Sequence, residues 1–187
     1  HLRRIEQHVG LADGVITALS NFARMPVPEL RPFPVEACVR EALEANPVPG
    51  SVRVETDFPA SLPRVLGDVA QIRIVFGNLI RNAADAMPEG GTLSVRARPA
   101  EGGVEVAVAD TGVGIPPEQL AWIMEPLYST KPRGLGLGLA LAKAILDKNR
   151  GSLHVASEPG RGSVFTVRLT AEPAPPEEDP AREVRQP

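Results

Sequence analysis

Three separated stretches of this chain hold side chains that could act on an anion or a metal ion. In the first, Phe76-Gly77-Asn78-Leu79-Ile80-Arg81-Asn82-Ala83-Ala84-Asp85-Ala86-Met87, the residues Asn78, Asn82 and Asp85 recur at spacings of four and three. That spacing puts them on one face of a helix. Asparagine is poor in a helix interior because its amide competes with the backbone, so two in register call for a reason. Amide oxygens suit a hard cation such as Mg2+, which proteins hold together with phosphates and waters; a solvated helix face is the other reading.

The second stretch is Asp110-Thr111-Gly112-Val113-Gly114, directly after a run of strand composition. An ionised aspartate only accepts hydrogen bonds, so Asp110 could take one from an exocyclic amine such as that of adenine. Gly112 and Gly114 would let the backbone approach a base closely, although a turn that merely ends a strand recruits the same residues. The third is Lys131-Pro132-Arg133-Gly134-Leu135-Gly136-Leu137-Gly138-Leu139. Glycines before a helix N-terminus present free N–H groups to an anion, with Lys131 and Arg133 adding charge. Leu139 stands where a dinucleotide fingerprint needs glycine, and the Lys-Ser/Thr pair of a P-loop is absent. Phosphate cradle and flexible hinge both remain open on this stretch alone.

The elements that must carry these residues can be read from periodicity. Leu2, Ile5, Val9, Ala12, Ile16, Leu19 and Ala23 alternate by three and four, the stripe of a coiled-coil or bundle helix. Its breadth, widened by Leu11, Val15 and Phe22, calls for a second helix, as in a homodimer. Met25-Pro26-Val27-Pro28 ends that helix. Residues 26–32 then read as a linker, followed by a helix from Val35 to Ala45 and a strand from Ser51 to Phe58. A long helix from Asp68 to Met87 is expected, with Asp68 as its N-cap and a core stripe of Ile72, Val75, Leu79, Ala83 and Ala86. Strands follow at Thr92–Arg98 and Val104–Ala109, then a lid-like loop from Thr111 to Gly138. A helix from Leu139 to Lys148 and strands at Ser152–Ala156 and Ser163–Leu169 complete the pattern. The Pro-Glu composition from Ala171 onward predicts disorder over 171–187.

Composition bounds the rest. The chain has 187 residues, of which 43% are hydrophobic, enough for one packed domain with appendages. A net charge of −3 from interspersed acids and bases gives no electrostatic reason to expect nucleic acid. The single cysteine, Cys38, excludes an internal disulfide and fits a reducing, cytoplasmic setting. No apolar run approaches the roughly 20 residues that cross a bilayer. The chain opens on His1 already inside a helical repeat, so it is expected to be cut from a longer parent, one that could be anchored to the inner membrane.

Taken together and in this order, the three stretches resemble the ATPase superfamily shared by gyrase, the Hsp90 chaperone, histidine kinases and MutL. Asn78 and Asn82 match its N box, Asp110 to Gly114 its first glycine box, and Gly134 to Gly138 its second. Glu125-Pro126-Leu127-Tyr128-Ser129-Thr130-Lys131 resembles the histidine kinase F box, with Leu127 and Tyr128 where the family has phenylalanines. The resemblance implies an α+β fold, a two-layer sandwich of helices over a mixed sheet of the Bergerat type across residues 33–170. Residues 1–25 then resemble the second helix of a dimerisation and phosphotransfer bundle.

It also implies roles. Asn78 would be the principal Mg2+ ligand, with Asn82 and Asp85 at the metal or phosphates of ATP. Asp110 would read the adenine amine, joined through a water by Ser163, with Gly112 and Gly114 beside it. Tyr128, Lys131, Gly134, Gly136 and Gly138 would complete the ATP site. Superfamily members that activate water, and the related serine kinases, carry a glutamate where this chain has Asn78, and an amide is no base near neutral pH. The resemblance is therefore to protein-histidine kinases, with a response regulator as partner, and the stretches Gly134 to Ala140 and Asn82 to Met87 most resemble the nitrogen-regulation type. A non-catalytic nucleotide-sensing module and a water-hydrolysing ATPase are the alternatives. None of His1, His8 and His154 has the flanking residues of a phosphoacceptor, so the acceptor is expected on a bundle helix preceding residue 1.

Overall fold

The computed structural model describes residues 26–131 and 135–172. The bundle helix expected over 1–25, the tail over 173–187, and Pro132, Arg133 and Gly134 lie outside them. In chain order the elements are β1 (Arg31–Phe33), α1 (Val35–Ala45), β2 (Val52–Asp57), β3 (Val65–Gly67), α2 (Val69–Asp85), β4 (Gly91–Ala100), β5 (Gly103–Asp110), α3 (Pro117–Leu120), α4 (Gly138–Lys148), β6 (Ser152–Glu158) and β7 (Gly162–Thr170).

A five-stranded sheet in the order β2-β4-β5-β7-β6 forms one layer. β2 runs parallel to β4 and every other pairing is antiparallel, so the sheet is mixed, as the resemblance implies. Strand alternation explains why it needs a cover on one side. Leu93, Val95 and Ala97 of β4, Val106 and Val108 of β5, and Phe165, Val167 and Leu169 of β7 are buried under the helices. The other face carries the lateral row Arg98, Glu105 and Arg168. An antiparallel sheet with one solvated face has this pattern.

α2 is the central helix, packed against α1 and α4 and over β4 and β5. It starts where expected, because Asp68 Oδ1 accepts from Ala70 N at 3.0 Å and Gln71 N at 3.1 Å, satisfying first-turn donors that lack helical partners. Its buried surface is wider than the expected stripe: Phe76, Ile80, Gln71 and Asn78 join Ile72, Val75, Leu79 and Ala83. A helix flanked by two others has little free face. α1 buries Val35, Cys38, Val39 and Ala42, one side at helical spacing.

Two elements depart from the expected order. β1 and β3, three residues each, pair antiparallel from Arg31↔Gly67 to Phe33↔Val65, so the expected linker is already paired at Arg31. The chain also stays bound beyond Thr170: Ala171 N donates to Gly102 O at 2.9 Å and Glu172 N to Arg64 O at 2.8 Å, so disorder does not begin at Ala171. The segment between β5 and α4 contains the short helix α3, whose start is set by Pro116 and Pro117. Among the described residues no helix is long and apolar enough to cross a membrane.

Candidate functional site

An open cleft of about 730 Å3 lies where α2, the end of β5, the segment before α4 and the first turn of α4 meet. Asn78, Asn82 and Asp85 line it from α2, Asp110 and Gly114 from the β5 end, and Ser163 from β7. Tyr128, Lys131, Gly136 and Gly138 line it from the other wall. The sequence-expected residues therefore converge, with two exceptions. Gly112 stands behind the wall, and Gly134 is outside the described residues.

Asp110 ends β5 paired with Ser163 of β7, and only 6% of its surface is exposed. Its Oδ1 accepts from Gly112 N at 2.9 Å. Burial pushes the carboxyl above the usual carboxylate range, opposed by the Gly112 and Ser163 backbone N–H groups, the Lys131 charge and the Ser163 hydroxyl. A hydroxyl chain extends from it: Ser163 Oγ lies 3.0 Å from Ser157 Oγ, which accepts from Ile115 N at 2.8 Å. Ser157 has no motif signature, since a serine in a strand reads as an ordinary outward-facing residue.

The glycines after Asp110 answer to the protein itself. A Cβ on Gly112 would fall 2.3 Å from Ala86 O, and one on Gly114 2.0 Å from Glu158 O. The loop is pressed between the end of α2 and the β6–β7 turn, and Val113 N donates to Ala86 O at 3.0 Å. Packing within the protein is thus reason enough for glycine at both positions. Gly136 has φ +65°, and a Cβ there would meet Tyr128 O at 2.4 Å, so two passes of the lid segment close on each other. Leu127, itself at φ 67°, donates its N–H to Gly136 O at 3.0 Å.

At the other end stands the polar ridge of α2. Asn78 is 7% exposed, and its buried Nδ2 has no hydrogen-bond partner among the described residues, so the solvated-face reading fails for it. Asn82 Oδ1 and Asp85 Oδ2 accept from Lys131 Nζ at 3.1 and 2.7 Å. Gly138 opens α4 with its Cα beside the Asn78 amide, where a Cβ would sit 3.5 Å from Asn78 Oδ1. Among the described residues no side chain caps α4, and its first bond runs from Leu141 N to Leu137 O at 2.8 Å. The amides of its first turn therefore have no intrahelical acceptor, and Gly138 and Leu139 of that turn line the cleft, an arrangement suited to an anion.

Arg81, Asn46 and the Pro47–Pro49 loop also line the cleft and were not singled out in the sequence. Arg81 donates to the Oδ1 atoms of both Asn78 and Asn46. Its place three residues after Asn78 was the available signal, since side chains at that spacing meet on a helix.

Residues 67–173 match the family model described as histidine kinase-, DNA gyrase B-, and HSP90-like ATPase. The chain is 37% identical over 132 residues to sporulation kinase C of Bacillus subtilis, covering 70% of this chain and 31% of that protein. It is 32% identical over 174 residues to the sensory histidine kinase/phosphatase NtrB of Rhodobacter capsulatus, covering 85% and 49%. Among solved structures, full-length ShkA in complex with AMPPNP superimposes with a TM-score of 0.77 at 28% identity, covering 92% of this chain and 38% of that one. The chain spans between about a fifth and a half of the length of the curated relatives it matches.

Proposed function

The chain belongs to the histidine kinase-, DNA gyrase B- and HSP90-like ATPase family, and from that premise we propose that it is the ATP-binding catalytic part of a two-component sensor histidine kinase. The observation that carries this reading is the meeting of Asp110, the α2 ridge and the uncapped start of α4 around one cleft. The relatives named above are kinases, and one solved neighbour carries an ATP analogue.

ATP would lie with its adenine at Asp110, whose ionised carboxyl accepts from the exocyclic amine, and Ser163 beside it. Ala86, which touches the Asp110 loop, is eight residues from Asn78 along α2, about 12 Å of helix. That distance separates the base end from the phosphate end. There the α4 amides and Lys131 would meet the phosphates, and Tyr128 would close the wall. The amide oxygens of Asn78 and Asn82, with the Asp85 carboxylate, fit a hard cation that also takes phosphate and water oxygens. Asn78 Nδ2 is a buried polar group that the described residues leave unmet, and such a group calls for an explanation. Mg2+, when bound, would neutralise phosphate charge.

The Asn78 amide is no base near neutral pH, so this position is not suited to activating water. The site would position ATP until an imidazole from a bundle helix arrives in line, the work being orientation and charge neutralisation. The phosphoryl group would then pass to a response regulator. Dimerisation through the helix expected over residues 1–25 and a cytoplasmic location are part of the same proposal. Mixing the chain with a separately produced acceptor bundle and labelled ATP tests it: acid-labile phosphohistidine on the bundle is expected. Steady release of inorganic phosphate without labelling would point instead to a water-hydrolysing ATPase.

A further inference from the structure

Both asparagines of the α2 ridge are already engaged by cations of the chain itself. Lys131 holds Asn82 and Asp85, and Arg81 holds Asn78 Oδ1. The Arg81 contact is built into the fold. The second arm of its guanidinium donates to Asn46 Oδ1, and Asn46 is oriented by its own Nδ2 donating to Ala42 O at 2.8 Å. Room for this clamp comes from Gly77, a mid-helix glycine where a Cβ would lie 2.9 Å from Asn46 Nδ2 and 3.4 Å from Arg81 Nη1. A glycine inside a helix is unfavourable by about 1 kcal/mol relative to alanine, so its presence here is explained by what lies over it.

The clamp also fixes the Asn78 amide. Arg81 has only donors to offer, so the atom it touches must be Oδ1, and Nδ2 is the one left buried without a partner among the described residues. The oxygen best placed for a metal therefore already has the positive guanidinium of Arg81 as its partner. Two cations on one amide oxygen repel each other.

We propose that Arg81 is a competitor for the divalent cation at Asn78 Oδ1: the atom that Arg81 holds is the one a metal would take, and the metal enters as Arg81 withdraws to Asn46 and the arriving phosphates. This rests on the nucleotide-binding reading above and adds to it a residue that sets the metal dependence of binding. Metal and nucleotide then bind together, because phosphates supply the anionic surroundings that Arg81 needs on leaving Asn78.

The test is calorimetric titration of the chain with a non-hydrolysable ATP analogue at graded free Mg2+, on wild type, Arg81→Met and Arg81→Gln. Both variants lack the charge, and melting curves taken alongside identify any that is unfolded. The free Mg2+ giving half of the metal-dependent tightening is expected to fall about tenfold in the folded variants, the scale of one charge-assisted hydrogen bond released. An unchanged or raised midpoint overturns the proposal. So does weaker metal-free binding with an unmoved midpoint, which makes Arg81 a phosphate ligand only. Absence of binding in wild type overturns the nucleotide reading itself, and is distinguishable because it precedes any variant.

Discussion

Burial raises the Asp110 carboxyl above its ordinary value, so ionising it disfavours the empty fold. A group with a raised folded-state pKa contributes fully below its unfolded value, and that contribution is lost as pH rises through the folded one. At pH 8, Asp110→Asn is therefore expected to melt above wild type by differential scanning calorimetry, while binding the ATP analogue more weakly. The same ionisation makes nucleotide affinity fall as pH is lowered through the raised pKa. At the phosphate end, Asn78→Ala removes the amide oxygen and leaves Asp110 untouched. Metal-free binding is expected to survive in that variant while the Mg2+-dependent gain disappears. At this scale the sequence was legible for residues whose type is costly in its place, such as two asparagines in a helix. It was not legible for Arg81 or Ser157, because an arginine on a helix or a serine in a strand is ordinary until its neighbours are known.

α1 and the start of α2 were readable because the signals are local: apolar spacing, the Asp68 cap, and proline or glycine stops. β1 and β3 were not, since three-residue strands have no period and their partners are remote, Arg31 meeting Gly67. The glycines of the β5–α3 turn were read for a ligand, whereas Ala86 O and Glu158 O occupy the space a side chain would need. On the open face of the sheet, hydrogen bonds from Arg98 and Arg168 hold the Glu105 carboxyl below its ordinary value. The sign is opposite to that of Asp110: the contribution is present above the unfolded value, about 4.3, and lost as pH falls through the folded one. Both arginines are more than half exposed, so Glu105→Gln is expected to cost no more than about 1 kcal/mol at pH 7. Urea unfolding should show the gap between the two proteins closing below pH 4.

For the molecule as a whole, helix layer and sheet share one core, and the cleft is made where elements distant in sequence end together. Only the fold supplies that convergence; the sequence supplied the order of the motifs. A buried amide network ties the same core to the entering chain: Asn149 Nδ2 donates to Gln71 Oε1 at 2.9 Å, and Gln71 Nε2 to Pro26 O at 3.1 Å. Cys38 reports on its integrity. Burial pushes its thiol up to about 12, which leaves almost no thiolate at neutral pH. Iodoacetamide is expected to label Cys38 only on unfolding, as followed by mass spectrometry across a urea series, and labelling at full rate in native buffer would mean an open helix layer. The claim on which everything else depends is that base and phosphates of one nucleotide occupy this single cleft. Calorimetric titration of the chain and of Asp110→Ala with a non-hydrolysable ATP analogue, with and without Mg2+, measures it. One site is expected in the wild-type chain, tightened by the metal and abolished by the substitution; equal affinity in both proteins, or no binding heat in either, would contradict it.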